Sequence, residues 1–252
     1  MLKYSLKIGW FYPDLMSTYG DRGNIFVLKK QAEWRGIEVE VVPITLPTKA
    51  NKIRFLDLLF MGGAQDRQQE IVKEDLSQSK GQYLREAIER NIPGLFICGA
   101  YQFMGKYYKA ANGNILPGLS IFDLYTEHPG EKAKRLIGNI ITESDIFNGR
   151  KIRLVGFENH GGRTYLSETV RPFGQVLVGF GNNGKDGSEG VVYNNTIGTY
   201  LHGPVLPKNL ELADYLIEEA LSVKYNKEIE LTSLDQTLEK EAKRVVYKRF
   251  GI

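Results

Sequence analysis

Short apolar runs alternate with stretches of helical periodicity through the first half of the chain. Ser5–Phe11 (SLKIGWF), Glu38–Ile44 (EVEVVPI), Phe55–Met61 (FLDLLFM) and Leu95–Ile97 read as strands, while Asn24–Arg35, Arg67–Leu76 and Gln82–Glu89 carry the spacing of helices. Within Asn24–Arg35, the residues Phe26, Val27, Leu28, Ala32 and Trp34 are expected to line the buried side, and Gly36 supplies the stop. Such alternation of β and α predicts an α/β fold. Its mostly parallel central sheet is flanked by helices on both faces, its crossovers are right-handed, and its site lies at the C-terminal ends of the strands.

After about Leu116 the texture changes. Arg135–Thr142, Ile152–Phe157, Gln175–Val178 and Val191–Tyr193 are short strand candidates separated by turn residues, which predicts an antiparallel extension. Gly179–Gly190 (GFGNNGKDGSEG) contains Asn-Gly and Asp-Gly pairs and reads as an exposed, mobile hairpin or loop. Thr196–Leu201 returns to a strand and Asn209–Leu221 is a helix candidate. Leu234, Leu238, Ala242, Val245 and Val246 then form a helical stripe opposite Glu239, Lys240, Lys243 and Arg244, read as a packing helix appended over about 231–250. The expectation is one domain over residues 1–252, without internal repeats.

Composition narrows the function classes. The 27 glycines in 252 residues exceed the roughly 7% of average usage and point to many tight turns. A net charge of +3 is too small a surplus for the electrostatic footprint of a nucleic-acid binder. The single cysteine, Cys98, excludes an intrachain disulfide and any multi-cysteine metal site and fits a reducing compartment. No run approaches the roughly 18 apolar residues of a membrane span, and MLKYSLKIGWFYPDLM lacks a signal-peptide core, so a soluble, cytoplasmic protein is expected.

The candidate chemistry sits at predicted strand ends. In PGLFICGAYQ, Cys98 follows an apolar strand and precedes a helical pattern over Ala100–Tyr107, the strand–turn–helix setting of a nucleophile elbow. There the positive end of a helix dipole favours negative charge, and the Gly99 N–H is available to an oxyanion. A lone cysteine is otherwise a small buried hydrophobe. A second glycine pair, in FMGGAQD, ends another predicted strand, and Gly63 is a candidate second donor. No stretch matches GxxxxGK[ST]; the nearest, GNNGKD at Gly181–Asp186, lacks the hydroxyl residue that would hold magnesium. Of the three histidines, His128, His160 and His202, the last ends TIGTYLHGP, where a base would reach the thiol. His160 is its rival, in a polar cluster with Glu158, Asn159 and Arg163 that reads equally as a binding loop or a local hydrogen-bond network.

Cys98 with Gln102 four residues on, and His202 in GTYLHGP, resemble the class I, triad-type glutamine amidotransferases. GGAQD, ICGAYQ, an arginine before IGNI, and GFENHGGRT narrow the resemblance to their cobyric-acid-synthase-like branch and, within it, to the glutaminase subunits of lipid II isoglutaminyl synthases. It runs from about Ile8 to Leu221. Residue by residue it implies Cys98 as nucleophile, His202 as base, Gly63 and Gly99 as oxyanion donors, and Arg135 as the anchor of the glutamine carboxylate, a task that suits a guanidinium. Gln102 is placed at the substrate, and His160, Glu158 and Asn159 are auxiliary.

The resemblance also implies a reaction and its partners. L-glutamine would be hydrolysed to glutamate and ammonia through a cysteine thioester, in a chain without metal or cofactor of its own. A MurT-like subunit of Mur-ligase type, forming a heterodimer with this chain, would hold ATP and magnesium and activate the D-glutamate of lipid II. Ammonia would then give D-isoglutamine in peptidoglycan synthesis, which brings the chain to the inner face of the membrane through its substrate. A glutaminase serving a cobyric-acid-type acceptor and a catalytically inactive scaffold subunit remain as alternatives. Two positions depart from the family pattern: Ala100 replaces a glycine of CxGxQ, and Pro204 stands where HxE has its glutamate. Proline accepts no hydrogen bond from an imidazole through its side chain. A dyad, a substitute carboxylate such as Glu158 or Glu189, or a carboxylate from the partner are the options, and the last is the expectation.

Overall fold

The computed structural model describes residues 4–64 and 66–252; Met1–Lys3 of the amino-terminal stretch and Gln65 of the GGAQD turn lie outside the described residues. Strands β1 (Ser5–Phe11), β2 (Glu38–Ile44), β3 (Leu58–Met61) and β4 (Gly94–Ile97) pair in parallel in the order β4-β3-β1-β2. Thr196–Thr199 joins β4 in parallel, and Val191–Tyr193 closes that edge antiparallel, making six strands. Six helices are described: α1 (Arg22–Glu33), α2 (Asp66–Asp75), α3 (Gly81–Glu89), α4 (Gly99–Met104), α5 (Leu210–Tyr225) and α6 (Thr237–Arg249). Among the described residues no helix is long and apolar enough to cross a membrane.

β3 and β4 are apolar at every position because both faces are covered. Leu58 and Phe60 join Leu6, Ile8, Leu95 and Ile97 in one core beneath α1 and α5, whereas Leu59, Met61 and Phe96 point into the other, beneath α2, α3 and α4. The chain leaves β1 towards β2 on one side and returns to β3 and β4 on the other. The β1/β3 boundary is therefore a topological switch point, where loops diverge and leave a crevice above the strand ends. Two smaller four-stranded sheets form the extension. One is built on the hairpin Leu136–Phe147 and Arg150–His160, with Gly174–Val178 and Ser188–Glu189; the other joins Tyr107–Lys109, Ile115–Pro117, Leu124–Glu127 and Arg163–Leu166.

Several expectations need correction. In α1 the buried residues are Asn24, Ile25, Leu28, Gln31 and Ala32, while Phe26 and Trp34 are 58% and 64% exposed. The helix starts two residues earlier than its apolar pattern suggests, and its inner face includes two amides. Asn24 is held there because its Oδ1 accepts the Leu206 N–H at 2.9 Å. The run Phe55–Met61 divides into a 3₁₀ turn ending at Phe55 and a strand starting at Leu58. The helix after Cys98 ends at Met104, before Gly105. The stripe on α6 faces outward: Leu238 and Val245 are 83% and 60% exposed, while Lys243 turns inward to pair with Glu211 at 3.1 Å. Segment 179–190 is tied down; Asn182, Asn183 and Glu189 within it are buried.

Candidate active site

Three turns meet above the switch point. The first follows β4 and carries Cys98, whose φ of 50° and ψ of −103° put a non-glycine residue in a sparsely populated region. That strain is over-determined by its neighbours: the Cys98 N–H donates to Thr199 O at 2.8 Å, and its carbonyl accepts the Gln102 N–H at 2.9 Å. The result is a sharp bend between β4 and α4 with the sulfur at its apex, as in a nucleophile elbow. The second turn, Gly62–Gly63, follows β3, and the third, residues 18–23, follows β1.

The glycine turn is closed on all sides. A Cβ on Gly62 would lie 2.4 Å from Met16 O, and one on Gly63 would lie 3.1 Å from His202 Cε1, 3.4 Å from Cys98 Cβ and 3.5 Å from Asp21 Oδ2. Gly63 is thus the floor on which Cys98, His202 and Asp21 converge. The third turn is laced to it by two bonds. Thr18 N–H donates to Gly63 O at 3.1 Å, and Gly63 N–H donates to Asp21 Oδ2 at 2.7 Å. The second bond corrects an expectation, because the Gly63 N–H is committed to a carboxylate rather than open to an oxyanion. Beside Gly99, the nearer backbone amide is that of Ala64, 3.2 Å from where a Gly99 Cβ would sit.

His202 is brought in from Thr196–Thr199 and fixed by the antiparallel bridge to Phe157, with His202 N–H to Phe157 O at 2.8 Å and Phe157 N–H to His202 O at 3.2 Å. Its ring is buried, and its Nδ1 lies 3.7 Å from Asp21 Oδ1. Burial pushes the imidazole down, yet negative charge on the Cys98 sulfur and the Asp21 carboxylate together outweigh it and carry His202 up to about 10. Both neighbours thus favour the protonated form of the ring. Tyr200, two residues before, is displaced upwards by burial and then by the same Cys98 charge, which places its hydroxyl within the field of the sulfur.

Around this centre the remaining candidates divide. Gln102 is buried and its Nε2 donates to Tyr200 Oη at 3.1 Å, so its amide is spent inside the protein rather than presented to substrate. His160 lies flat on Tyr200, ring centroids 3.7 Å apart, with its Nδ1–H donating to Gly162 O at 2.8 Å; burial pushes it down, leaving a neutral ring. Glu158 accepts Phe180 N–H at 2.7 Å and Gly181 N–H at 3.0 Å. Glu189 accepts from Thr199 Oγ1 and from Tyr200 N–H. Neither acid is spent on His202, so neither replaces the missing glutamate. Arg135 stands at the rim, where its Nε donates to Asn159 Oδ1 and its terminal nitrogen to Asn159 O, both at 2.8 Å. Asn159 thus holds the guanidinium in one orientation.

The chain matches the model of the CobB/CobQ-like glutamine amidotransferase domain over residues 7–210. The chain belongs to this family. A relative from Staphylococcus aureus (strain N315), named lipid II isoglutaminyl synthase (glutamine-hydrolyzing) subunit GatD, is 45% identical over 98% of this chain and 96% of its own length. One of the same name from Streptococcus pneumoniae (strain ATCC BAA-255 / R6) is 39% identical over 94% of this chain and 89% of its own. The glutaminase domain of Trypanosoma brucei CTPS, solved with bound acivicin, covers 90% of this chain and 98% of that one with a TM-score of 0.55; at 9% identity the likeness is one of fold.

Sequence reasoning did not single out Asp21, whose buried carboxylate lies beside His202 and accepts the Gly63 N–H. Its signal was present in TYGDRG, an acid between two glycines in the turn after β1, on the sheet edge that also carries Gly63 and Cys98. The proline that displaced the family glutamate is part of the same arrangement. A Cβ on Gly23 would lie 2.6 Å from Pro204 Cγ, so Pro204 packs directly on the turn that carries Asp21.

Glu189 makes the segment that leads into His202 pH-sensitive, through its bonds from Thr199 and Tyr200. Burial pushes its carboxyl up to about 7 from 4.5, against hydrogen bonds that pull it down. A folded value raised above the unfolded one gives stability that is complete below the unfolded value and lost as pH rises through the folded value. Glu189→Gln imitates the protonated form. Its melting temperature relative to wild type should rise between pH 4 and pH 8, by an amount corresponding to on the order of 2 kcal/mol. A difference independent of pH, measured by thermal unfolding across that range, would refute the assignment.

Proposed function

We propose that this chain is the glutamine-hydrolysing subunit of a lipid II isoglutaminyl synthase. The observation that carries the reading is the strained Cys98 elbow converging with His202 on the Gly63 floor. The acceptor is supported by the two relatives that match along nearly their whole length and bear that name.

In the proposed reaction the Cys98 sulfur attacks the carboxamide carbon of L-glutamine, forming a C–S bond. The oxyanion is held by the Gly99 N–H, at the positive end of α4, with the Ala64 N–H beside it. The protonated His202 gives its proton to the departing nitrogen as the C–N bond breaks, releasing ammonia and leaving a thioester. His202, now neutral, takes a proton from water, the hydroxide adds to the thioester carbon, and the C–S bond breaks to release glutamate. The proton from water returns the imidazole to its charged state. Burial of His202, Tyr200 and Gln102 keeps bulk water from the ring. Ammonia passes to a second chain of Mur-ligase type, MurT-like by resemblance, on which ATP and magnesium activate the D-glutamate carboxyl. This chain needs no cofactor for its own step. Intact Cys98, His202 and their setting favour this reading over a scaffold that has lost its chemistry.

The assay is release of ammonia and glutamate from L-glutamine by the purified chain, alone and with the ligase-type partner. Equimolar products, increased by the partner, are expected; no release under either condition from folded protein in a demonstrated complex would overturn the proposal. In the same assay Arg135→Ala should raise KM for glutamine by about tenfold or more with a smaller change in kcat, as loss of a charge-assisted carboxylate contact predicts. Unchanged saturation would remove Arg135 from the substrate site.

A further inference from the structure

Arg135 is exposed and lies on an irregular stretch, yet its guanidinium has a fixed direction. Residues 128–135 form neither strand nor helix between Leu124–Glu127 and Leu136–Phe147. Two local bonds shape them, Ala133 N–H to Gly130 O at 3.0 Å and Gly130 N–H to His128 Nδ1 at 3.2 Å. An arginine on such a stretch has rotamer freedom to lose when it takes an anion, and that loss weakens binding. Here Nε and Nη2 are already spent on Asn159, both at 2.8 Å, which leaves the Nη1 edge for a substrate carboxylate.

A second guanidinium holds the segments on either side. Arg163 Nη2 donates to Lys134 O at 2.7 Å, on the residue before Arg135. Its Nη1 donates to Gly161 O at 2.8 Å and to Gly162 O at 3.2 Å, on the loop that follows Asn159 and His160. The two segments meet at Gly161, where a Cβ would lie 2.5 Å from His128 Nε2 and 3.4 Å from Arg135 Nη1. Arg163 itself stands on a firm base. The strand Arg163–Leu166 pairs with Leu124–Glu127, and Thr164 next to it bonds Thr126 at 2.7 Å, Tyr200 at 2.6 Å and, through its N–H, Asn182 O at 2.8 Å. A planar fork spans two chain segments at once, which the single nitrogen of a lysine does not.

The geometry points to Arg163 as the positioning residue of the carboxylate anchor: it clasps Lys134 to the Gly161–Gly162 loop and so holds Arg135 ready for the α-carboxylate of glutamine. This deepens the glutaminase reading above and rests on it. Arg163 acts through Arg135 rather than on the substrate, so its contribution belongs to binding and to discrimination at the α-carbon end, not to the chemistry at Cys98.

Arg163→Lys keeps the charge and breaks the clasp. KM for L-glutamine should rise by about fivefold or more with kcat within about twofold. The preference of the chain for L-glutamine over its α-amide, which lacks the carboxylate, should narrow by a similar factor. Because the effect passes through Arg135, KM of the double variant Arg135→Ala/Arg163→Lys should match that of Arg135→Ala within about twofold. Unchanged KM in Arg163→Lys, a fall in kcat alone, or effects that multiply in the double variant would overturn the inference.

A second measurement is independent of turnover. In ¹⁵N-arginine-labelled wild-type chain, the Arg135 Nε–H, identified by its disappearance in Arg135→Ala, should exchange more slowly than that of a free arginine, and this protection should be lost in Arg163→Lys. Fast exchange in the wild type, or protection retained in the variant, would overturn the clasp. If the wild-type chain and its complex release no ammonia from glutamine while the protection behaves as expected, the functional reading fails and the positioning of Arg135 by Arg163 stands.

Discussion

Cys98→Ala should reduce glutamine hydrolysis by on the order of 10⁴-fold or more while leaving the fold intact. The proposed route passes through a covalent bond to this sulfur, and an alanine leaves only water with the oxyanion donors behind it. Stability should change little. Cys98 is partly exposed, and the φ of 50° is imposed by the Thr199 and Gln102 backbone bonds, which an alanine also accepts. Cys98→Gly tests the strain separately. Glycine adopts that conformation without penalty, so this variant should be equally inactive yet more stable than Cys98→Ala by about 1 kcal/mol. Thermal unfolding and ammonia release, measured on both variants, check the two halves of the argument. Turnover above about one per cent in Cys98→Ala would assign the chemistry elsewhere.

The parts of this molecule legible in its sequence are those governed by local pattern. β1 and β2 fall on the predicted residues because alternating or continuous apolar runs bounded by glycine and proline leave few alternatives. Cys98 was legible because an elbow is local: strand, cysteine, glycine and helix are contiguous. What escaped was set by contacts across the chain. Asp21 lies 181 residues before His202, and only the order of strands in the sheet brings its turn to the same edge. Gly63 lies against Cys98 and His202, but its N–H direction depends on Asp21 and could not be read from a glycine pair. The same holds for Gln102, whose amide is claimed by Tyr200 nearly a hundred residues on. On α6 the periodicity was present but the side was reversed. Lys243 reaches inward to Glu211, and Tyr247 Oη donates to Arg153 O at 2.8 Å, so polar contacts rather than the apolar stripe seat the helix.

Glu158→Ala should be the most damaging single change outside the catalytic group. Glycine-rich composition made residues 179–190 look mobile, yet Gly179, Phe180 and Gly181 wrap the Glu158 carboxylate, and a Cβ on Gly179 would lie 2.6 Å from Oε1. The positive φ values of Gly179 and Gly181 aim the Phe180 and Gly181 N–H groups at one point, an anion nest built by the chain for its own side chain. Truncation leaves both amides buried without an acceptor, each at a cost of about 1–3 kcal/mol. A loss of about 3 kcal/mol overall is expected, with the denaturation midpoint lowered accordingly. Hydrogen exchange locates the damage. The Phe180 and Gly181 amides should lose protection first, followed by Asn182, whose side chain bonds Tyr101 and Gly190. Glu158 also lies 3.7 Å from the ring of His160, which stacks on Tyr200 two residues before His202, so kcat should fall with stability. Glu158→Gln, which retains one acceptor oxygen, should fall between the two. Unchanged exchange at Phe180 and Gly181 in Glu158→Ala would show that the segment is held by its own turns and that the carboxylate is a bystander.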